Sequence, residues 1–323
     1  PKLNYITVLS FENCGIEISE LLNIIHDIKF DNLKVLNLSG NKAQHMAISG
    51  FELPKNLQSI ILNDITWFEN ALRNLMRRIL DHPFIRKLSV INANVDEEEW
   101  HSIAHLFKKS KMTQLQSLIW NNNPVTEAFM DFVSNNKYLE YLSLCHIFNS
   151  YQSKIAALLV RYLKKKPPLM TLIIRGSATN YLGKLTHTII KAALGCPLLE
   201  NFDISGNMIT DKCAMQLQDI YKTKSALRTF NFEGTGARFY MSLKETLRLA
   251  AINERIRTNI PFKDITRLIK DKQIDQKDAD EIVDSFRKKP KIKGKILYKD
   301  MEKSPFHSPF MYYADKYTTN FPK

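Results

Sequence analysis

Two short stretches contain residue types at spacings that could do chemistry. In the first, His101-Ser-Ile-Ala-His105, two imidazoles lie four residues apart, and a helix could present both of them to a zinc ion. A zinc-protease helix needs a glutamate directly after its first histidine, and Ser102 stands there instead. We therefore interpret this stretch as the exposed flank of a helix.

The second stretch, Gly176 to Gly183-Lys184-Leu185-Thr186, has some parts of a phosphate-binding loop. Its glycines are seven residues apart rather than five, and Leu185 replaces the hydroxyl residue that binds the metal. A loop between a strand and a helix is the simpler interpretation. Because no Gly-x-Ser-x-Gly motif or cysteine–histidine arrangement is present either, we predict that the chain is not an enzyme and has no cofactor or metal.

A repeated spacing covers far more of the chain than these motifs do. The pattern apolar-x-x-apolar-x-apolar-x-x-(Asn or small) occurs nine times, at steps of 24 to 30 residues. Because side chains alternate along a strand, its three apolar positions predict a short strand with one buried face. An asparagine at the ninth position could bond backbone groups where the chain turns. The nine first residues are Ile6, Leu33, Leu57, Ile85, Leu115, Leu139, Leu169, Leu199 and Leu227.

Between the predicted strands the apolar residues follow a helical period. Asp96, followed by three glutamates, is typical of a helix start, as is Thr210-Asp211. The pattern predicts an α/β solenoid of about nine repeats with a parallel inner sheet and outer helices. The apolar stripes are Leu72, Leu75, Met76, Ile79 and Leu80; Trp100, Ile103, Ala104 and Phe107; Ile155, Leu158, Leu159 and Tyr162; and Ile189, Ile190, Ala193 and Leu194.

The best copies of the repeat begin at Leu33, Leu115 and Leu199, and each has asparagine at the ninth position. Together with the phrase Phe202-Asp-Ile-Ser-Gly-Asn-Met-Ile-Thr-Asp211, they resemble the ribonuclease-inhibitor-like group of leucine-rich repeat proteins. This group includes the Ran GTPase-activating protein, tropomodulin and CARMIL. The resemblance covers roughly residues 5 to 240. It implies architecture only, because members of the group share no single activity.

Composition divides the chain into three parts: a solenoid at 1–240, a helical cap at 241–287 and an extended basic tail at 288–323. The chain has 323 residues, of which 44% are hydrophobic, and a net charge of +13. No apolar run approaches the roughly 18 to 20 residues that a membrane span needs. The first predicted strand begins near Ile6, so we expect its open edge to be covered by more of a longer protein or by a partner.

The C-terminal tail differs from most basic tails because it is also aromatic. From Arg287 onward there are ten Lys or Arg against three acids, which is +7 of the net +13. We expect this tail to dock on an acidic protein surface, such as that of tubulin or actin, although RNA would attract its charge equally well. The candidate contact residues are Lys291, Lys293, Lys295, Tyr298, Phe306, Phe310, Tyr312, Tyr313, Tyr317 and Phe321.

A second candidate surface is the concave face, which consists of the strand side chains that alternate with the buried ones. Its middle row should run through Ser10, Asn37, Ile61, Ser89, Ile119, Ser143, Ile173, Asp203 and Asn231. Most of this face is Ser or Asn, and it lacks the clustered cations that phosphates need. We expect it to bind an apolar helix or an extended peptide. Its candidate contact residues are Ile61, Ile91, Ile119, Tyr141 and Ile173.

The cysteines and two basic clusters of the chain are interpreted as structural features. Cys14, Cys145, Cys196 and Cys213 form no Cys-x-x-Cys pair, so we expect buried or half-buried thiols in an intracellular protein. Lys108, Lys109 and Lys111 form one basic cluster, and 164–166 form another. Both follow predicted helices, where cations interact favourably with the helix dipole, so we interpret them as structural.

These observations favour a non-enzymatic, cytoplasmic scaffold for protein partners. A component of a cytoskeletal assembly is the leading hypothesis, with microtubule or axonemal attachment preferred and actin as the other candidate. A regulator of a small GTPase, like the Ran GTPase-activating protein, is one alternative. An RNA- or ribosome-associated binding protein is another, because the pI is about 9.4. No membrane association is expected.

Overall fold

A computed structural model describes residues 5–28, 30–44, 51–147, 152–177, 182, 186–207 and 227–231. The predicted start signal at 210–211, the cap at 241–287 and the tail at 288–323 lie outside the described residues.

Nine short strands, one from each predicted repeat, form a single parallel sheet in the order β1-β2-β4-β6-β7-β8-β9-β10-β11. The remaining two strands, β3 and β5, pair with each other in a second sheet. The strands are β1 (Val8–Ser10), β2 (Val35–Asn37), β3 (Lys42–Ala43), β4 (Ser59–Asn63), β5 (Thr66–Trp67), β6 (Lys87–Ile91), β7 (Ser117–Asn121), β8 (Tyr141–Ser143), β9 (Thr171–Ile173), β10 (Asn201–Asp203) and β11 (Thr229–Asn231).

The helices of the described part alternate with these strands. They are α1 (Ile18–Ile28), α2 (Ala71–Asp81), α3 (Glu97–Lys109), α4 (Glu127–Asn135), α5 (Gln152–Lys164) and α6 (Thr186–Leu194). The four predicted stripes lie on α2, α3, α5 and α6, and most of their residues are buried. Among the described residues, no helix combines the length and the apolarity that crossing a bilayer requires.

The core lies between the sheet and the helices. In repeats two to eight the three leading apolar residues are buried, as Leu33, Leu36 and Leu38 illustrate with no exposed area. Neighbouring strands are about 4.8 Å apart, whereas packed helices need about 8 to 10 Å, so the stack curves with its sheet inside. The chain therefore folds as a leucine-rich repeat solenoid, and the open side of the sheet is its concave face.

Asparagines at the ninth repeat position bond backbone groups where the chain turns, as the sequence predicted, and they also tie neighbouring repeats together, which it did not. Asn123 is buried, and its Nδ2 donates to the carbonyl oxygen of Val90 in the preceding repeat at 2.9 Å. Its Oδ1 accepts the backbone N–H of Ala93 at 2.9 Å. The buried Asn41 and Asn207 make equivalent pairs of bonds. Each asparagine thus satisfies a donor and an acceptor that the turn would otherwise bury unpaired.

Carboxylates begin two of the helices, and one of them acts between repeats. Asp96 accepts the backbone N–H of Glu99 at 2.7 Å, which confirms the predicted start of α3. Glu99 itself is buried, and its Oε1 accepts the backbone N–H of Arg73 in the first turn of α2 at 2.9 Å. Burial raises the pKa of Glu99. A glutamate of one repeat therefore caps the helix of the repeat before it.

Two features differ from the sequence-based expectations. Cys14 is exposed, so the prediction that every thiol would be at least half-buried is wrong for it. Cys14 follows β1, the edge strand of the described sheet, whereas Cys145 and Cys196 are buried. The β3–β5 pair was not predicted, because two residues are too short to show an alternating pattern.

His82 is held as a neutral imidazole at the end of α2. Its Nδ1 accepts the backbone N–H of Phe84 at 3.3 Å, and its Nε2 lies 3.1 Å from the carbonyl oxygen of Pro54. The first contact needs an unprotonated Nδ1, so Nε2 carries the proton and donates it to Pro54. Burial lowers the pKa of His82, while the bond to Pro54 raises it to a lesser extent.

This arrangement predicts a pH-dependent stability. The unfolded chain binds a proton at His82 more readily than the folded chain does, so the free energy of unfolding should fall as the pH drops below about 6.5. The free energy of unfolding of the variant His82→Gln should fall less between neutral and acidic pH than that of the wild type. Urea titrations at several pH values measure this difference. His101 is exposed on α3, and His101→Gln is the matched control for the substitution itself. Equal slopes for His82→Gln and the wild type would contradict this account.

Candidate protein-binding surface

The concave face has the row structure that the repeat predicted. Its middle row passes through nine strands in one unbroken parallel register. Ser89 and Ser143 are buried in this row, whereas its three isoleucines are half-buried. The row consists of Ser10, Asn37, Ile61, Ser89, Ile119, Ser143, Ile173, Asp203 and Asn231.

The five predicted contact residues do not lie in a single row. Ile61, Ile119 and Ile173 are in the middle row on alternate strands, about 10 Å apart, with a serine between each pair. Ile91 lies two residues beyond the middle row, between Asn63 and Asn121, and Tyr141 lies two residues before it, between Ser117 and Thr171. All five side chains are half-buried.

Together the five residues form a zigzag that we call the apolar band. It takes one residue from each of five adjacent strands, β4, β6, β7, β8 and β9. Each step joins a diagonal pair of neighbours, about 8 Å apart. Burial raises the pKa of Tyr141, the one ionisable member of the band. The order across the strands is Ile61, Ile91, Ile119, Tyr141 and Ile173.

Polar side chains around the apolar band bond to one another. Ser89 Oγ donates to Asn63 Oδ1 at 2.8 Å, and Ser143 Oγ donates to Asn121 Oδ1 at 2.9 Å. Asn121 Oδ1 also accepts the backbone N–H of Cys145 at 2.8 Å. Because these polar groups already have partners within the face, the band is the part of this surface that gains most from being covered.

Charges on the concave face are few, and the main pair is internal. Arg175 Nε donates to Asp203 Oδ2 at 2.7 Å, and Asp203 Oδ2 also accepts from Asn231 Nδ2 at 3.0 Å. Glu12, near the other end of the sheet, accepts from Asn37 Nδ2 at 3.1 Å. This distribution does not offer the clustered cations that a nucleic-acid backbone requires.

A row of left-handed residues along the rim of the concave face was not predicted. At the eighth position of seven repeats the backbone φ is positive, for example 54° at Asn92, 55° at Asn122 and 55° at His146. Asn92 Nδ2 donates to Asp64, and Asn122 Nδ2 donates to Asn92 Oδ1 at 2.5 Å. The signal was present in the sequence, because this position holds only Asn, Gly, Asp or His in all nine repeats.

The rim and one member of the apolar band, Ile91, line an open cleft of about 540 Å³. Amide, imidazole and guanidinium groups surround Ile91 there, and no carboxylate is among the lining residues. The cleft therefore extends the concave face towards a polar rim. Its lining residues are Ile91, Asn92, Asn121, Asn122, Cys145, His146, Arg175 and Ser177.

Neither of the motifs with catalytic spacing forms a site in the described residues. His101 and His105 are exposed on α3, and His101 Nδ1 lies 2.7 Å from the carbonyl oxygen of Glu97. In the part of the chain that the structure describes, no three His, Cys, Asp or Glu side chains come together as metal ligands. Residues 183–185 of the glycine–lysine stretch, and all ten candidate residues of the tail, lie outside that part.

Comparisons with known proteins return structural likenesses only. No protein-family model matches the chain, and no curated protein matches it in sequence. The tropomodulin C-terminal domain of Caenorhabditis elegans is 16% identical, with a TM-score of 0.38, and the match covers 49% of this chain and 95% of that one.

Two other solved structures are similar at the same level. The internalin InlF of Listeria monocytogenes is 17% identical, with a TM-score of 0.38, covering 76% of this chain and 72% of that one. TLR13, in a complex with ssRNA13, is 13% identical, with a TM-score of 0.40, covering 71% of this chain and 34% of that one. The leucine-rich repeat fold rests on this chain's own nine-stranded sheet and buried asparagines.

Proposed function

We propose that the chain is a non-enzymatic scaffold that binds a protein partner across its concave face. The observation that carries this proposal is the apolar band: five half-buried side chains on five adjacent strands, among polar groups that bond to one another. Covering the apolar area of the band stabilises a complex. The serine and asparagine side chains around the band can keep their hydrogen bonds to one another when a partner binds. An apolar helix or an extended peptide fits this chemistry.

The cysteines support an intracellular setting as part of this proposal. Cys14, Cys145 and Cys196 are not joined to one another by disulfide bonds, and Cys14 is exposed. Exposed thiols persist in reducing compartments, where disulfides are rare. This supports a cytoplasmic location as part of the proposal.

The finer proposal is that the scaffold belongs to a cytoskeletal assembly. Its argument is the charge and aromatic content of 288–323, which suits an acidic protein surface such as a microtubule or an actin filament. We prefer microtubules or axonemes, because the tail could bind neighbouring subunits at the same time. Its 36 residues reach about 120 Å when they are extended.

Co-sedimentation of the full chain with purified microtubules and with actin filaments tests the finer proposal. We expect the chain to pellet with one of them, less at higher salt, and to remain in solution when 288–323 is deleted. The triple variant Lys291→Gln/Lys293→Gln/Lys295→Gln should weaken pelleting, whereas the control Lys42→Gln/Lys154→Gln/Lys191→Gln should not. Pelleting that survives deletion of the tail would refute tail docking.

The same preparations separate the alternatives. If RNA displaces the chain from both kinds of filament, RNA binding replaces the cytoskeletal proposal. If adding the chain speeds GTP hydrolysis by a small GTPase, regulation of that GTPase replaces it. Either result would leave the concave face to be tested separately.

A further inference from the structure

A second exposed surface lies along the edge where each helix turns into the next strand. Because all nine strands are parallel, every one of these turns falls on the same edge of the sheet. Successive turns are in direct contact: Glu140 N donates to Gln116 O at 2.9 Å, and Met170 N donates to Glu140 O at 2.8 Å. Glu200 N continues the row by donating to Met170 O at 2.8 Å. Side chains here therefore form a continuous strip across repeats four to eight, which we call the turn edge.

Large apolar side chains are exposed along the turn edge. Phe84, Tyr138 and Leu198 are 50%, 63% and 53% exposed, and each directly precedes the first apolar residue of its repeat. They belong to repeats four, six and eight, so they recur every second turn, about 10 Å apart at the level of the strands. Met170, 39% exposed, lies in the turn between Tyr138 and Leu198. Single exposed apolar residues are ordinary, but three at the same repeat position, with Met170 beside them, mark an interaction surface.

Cations accompany these apolar side chains. Eight exposed Lys or Arg lie on the turn edge, against the acids Asp81, Glu140 and Glu200, and Glu200 pairs with Arg228 at 3.2 Å. Within the described ranges none of the eight takes part in an ion pair, whereas Arg161 on α5 contacts both Glu127 and Asp131. The eight are Arg86, Lys108, Lys109, Lys111, Lys137, Lys164, Lys165 and Lys166.

Helix dipoles explain only part of this charge. Lys108 and Lys109 are in the last turn of α3, and Lys164 is in the last turn of α5, where cations stabilise a helix. Lys111, Lys137, Lys165 and Lys166 lie beyond the helix ends, as does Arg86. Like charges in adjacent turns repel one another, so their density on this edge costs stability that an acidic partner would restore.

We propose that the turn edge is a docking surface for an acidic protein segment that carries apolar side chains. The cations attract and orient the segment, and the exposed side chains of Phe84, Tyr138, Met170 and Leu198 contact its apolar residues. A nucleic acid fits this edge less well. The aliphatic side chains of Met170 and Leu198 cannot stack on bases, and the carboxylate of Glu140, in the middle of the strip, repels phosphates. The chain's own tail at 288–323 has a net charge of +6, the same sign as this edge, so charge favours another protein as the partner.

Selection of a phage-displayed library of random peptides on the full chain tests this proposal without a known partner. Selected peptides are synthesised and their affinities measured by fluorescence anisotropy. We expect the selected sequences to be rich in Asp and Glu and to contain Leu, Phe or other large apolar residues. We also expect their affinity to fall as salt rises.

Two edge variants and two matched controls locate the binding site. Lys164→Glu/Lys165→Glu and Tyr138→Ser/Leu198→Ser should each weaken binding roughly tenfold or more. Lys42→Glu/Lys154→Glu makes the same charge change away from the edge, and Ile24→Ser/Ile28→Ser removes equally exposed apolar residues of α1; both should bind like the wild type. Circular dichroism confirms that each variant folds.

Several results would overturn the proposal. These are a selection that yields no peptides, selected peptides without net negative charge, and affinities that are equal for the edge variants and the wild type. Poly-uridine RNA and vesicles containing phosphatidylserine are titrated against the same proteins. If either binds through the turn edge and the peptides do not, that ligand replaces the acidic segment. These substitutions do not alter the concave face, so the result of this test is independent of the proposed function.

Discussion

Replacing Trp120 with alanine should lower the free energy of unfolding by about 3 to 5 kcal/mol, the largest loss that we expect from a single side chain. Trp120 has no exposed area, and its ring centroid lies 5.5 Å from that of Phe107, 5.0 Å from that of Phe129 and 5.8 Å from that of Trp100. The change opens a cavity at the centre of this cluster and removes the bond from Trp120 Nε1 to the carbonyl oxygen of Pro124. Urea denaturation followed by far-ultraviolet circular dichroism measures the loss.

A second substitution separates packing from hydrogen bonding at this position. Trp120→Phe keeps an aromatic ring in the cluster but cannot donate to Pro124, so it should cost much less than the alanine variant, about 1 to 2 kcal/mol. Exposed Phe68 provides the control, since Phe68→Ala should change stability little. A loss below about 1 kcal/mol for Trp120→Ala would contradict the packing described for repeats four and five.

Asn123→Ala should cost about 1 to 3 kcal/mol, although it removes few atoms, because it leaves a buried backbone N–H without an acceptor and takes one donor from a buried carbonyl oxygen. The backbone N–H of Ala93 loses its acceptor, and the carbonyl oxygen of Val90 loses a donor, both in the preceding repeat. The damage should therefore appear on both sides of one repeat boundary. Amide hydrogen exchange should show faster exchange in β6 and β7 than in β10.

The neighbouring asparagine provides the control for this prediction. Asn122 is exposed, and its φ of 55° suits glycine, so Asn122→Gly should change stability by less than about 1 kcal/mol. If Asn123→Ala were as mild as Asn122→Gly, the asparagines at the ninth position could not be what ties the repeats together.

Much of the fold was predictable because the same spacing recurs in every repeat, so each copy supports the interpretation of the others. The spacing of Leu33, Leu36 and Leu38 in one repeat is ambiguous alone, but nine copies place every strand and its buried face. Parallel strands of one period must also pair in register, which is why the middle row of the concave face was predicted correctly. Asp96 was recognised because helix capping depends on residues close in sequence.

Contacts between repeats were not predictable, since they join residues distant in sequence. Nothing near Glu99 indicates that it caps a helix 26 residues earlier, and nothing near His82 indicates its contact with Pro54. The left-handed rim is a different case, because its signal was in the sequence at the eighth position and was overlooked. The turn edge needed exposure values, which a sequence does not contain.

Two surfaces of different chemistry result from one repeat. On the concave face the apolar band lies among polar groups that bond to one another, and few charges approach it. On the turn edge, apolar side chains alternate with unpaired cations. A scaffold with both surfaces could hold an apolar segment of one protein and an acidic segment of another at the same time.

Site-specific photo-crosslinking in cells that express the chain tests the central claim, contact between the concave face and a protein, most directly. Benzoyl-phenylalanine replaces Tyr141 with little change of shape, and the control is the same group at exposed His101 on α3. We predict discrete adducts at position 141 that protease digests and ribonuclease leaves intact, and none of these at position 101. Adducts that ribonuclease removes, or the same adducts at both positions, would contradict the account.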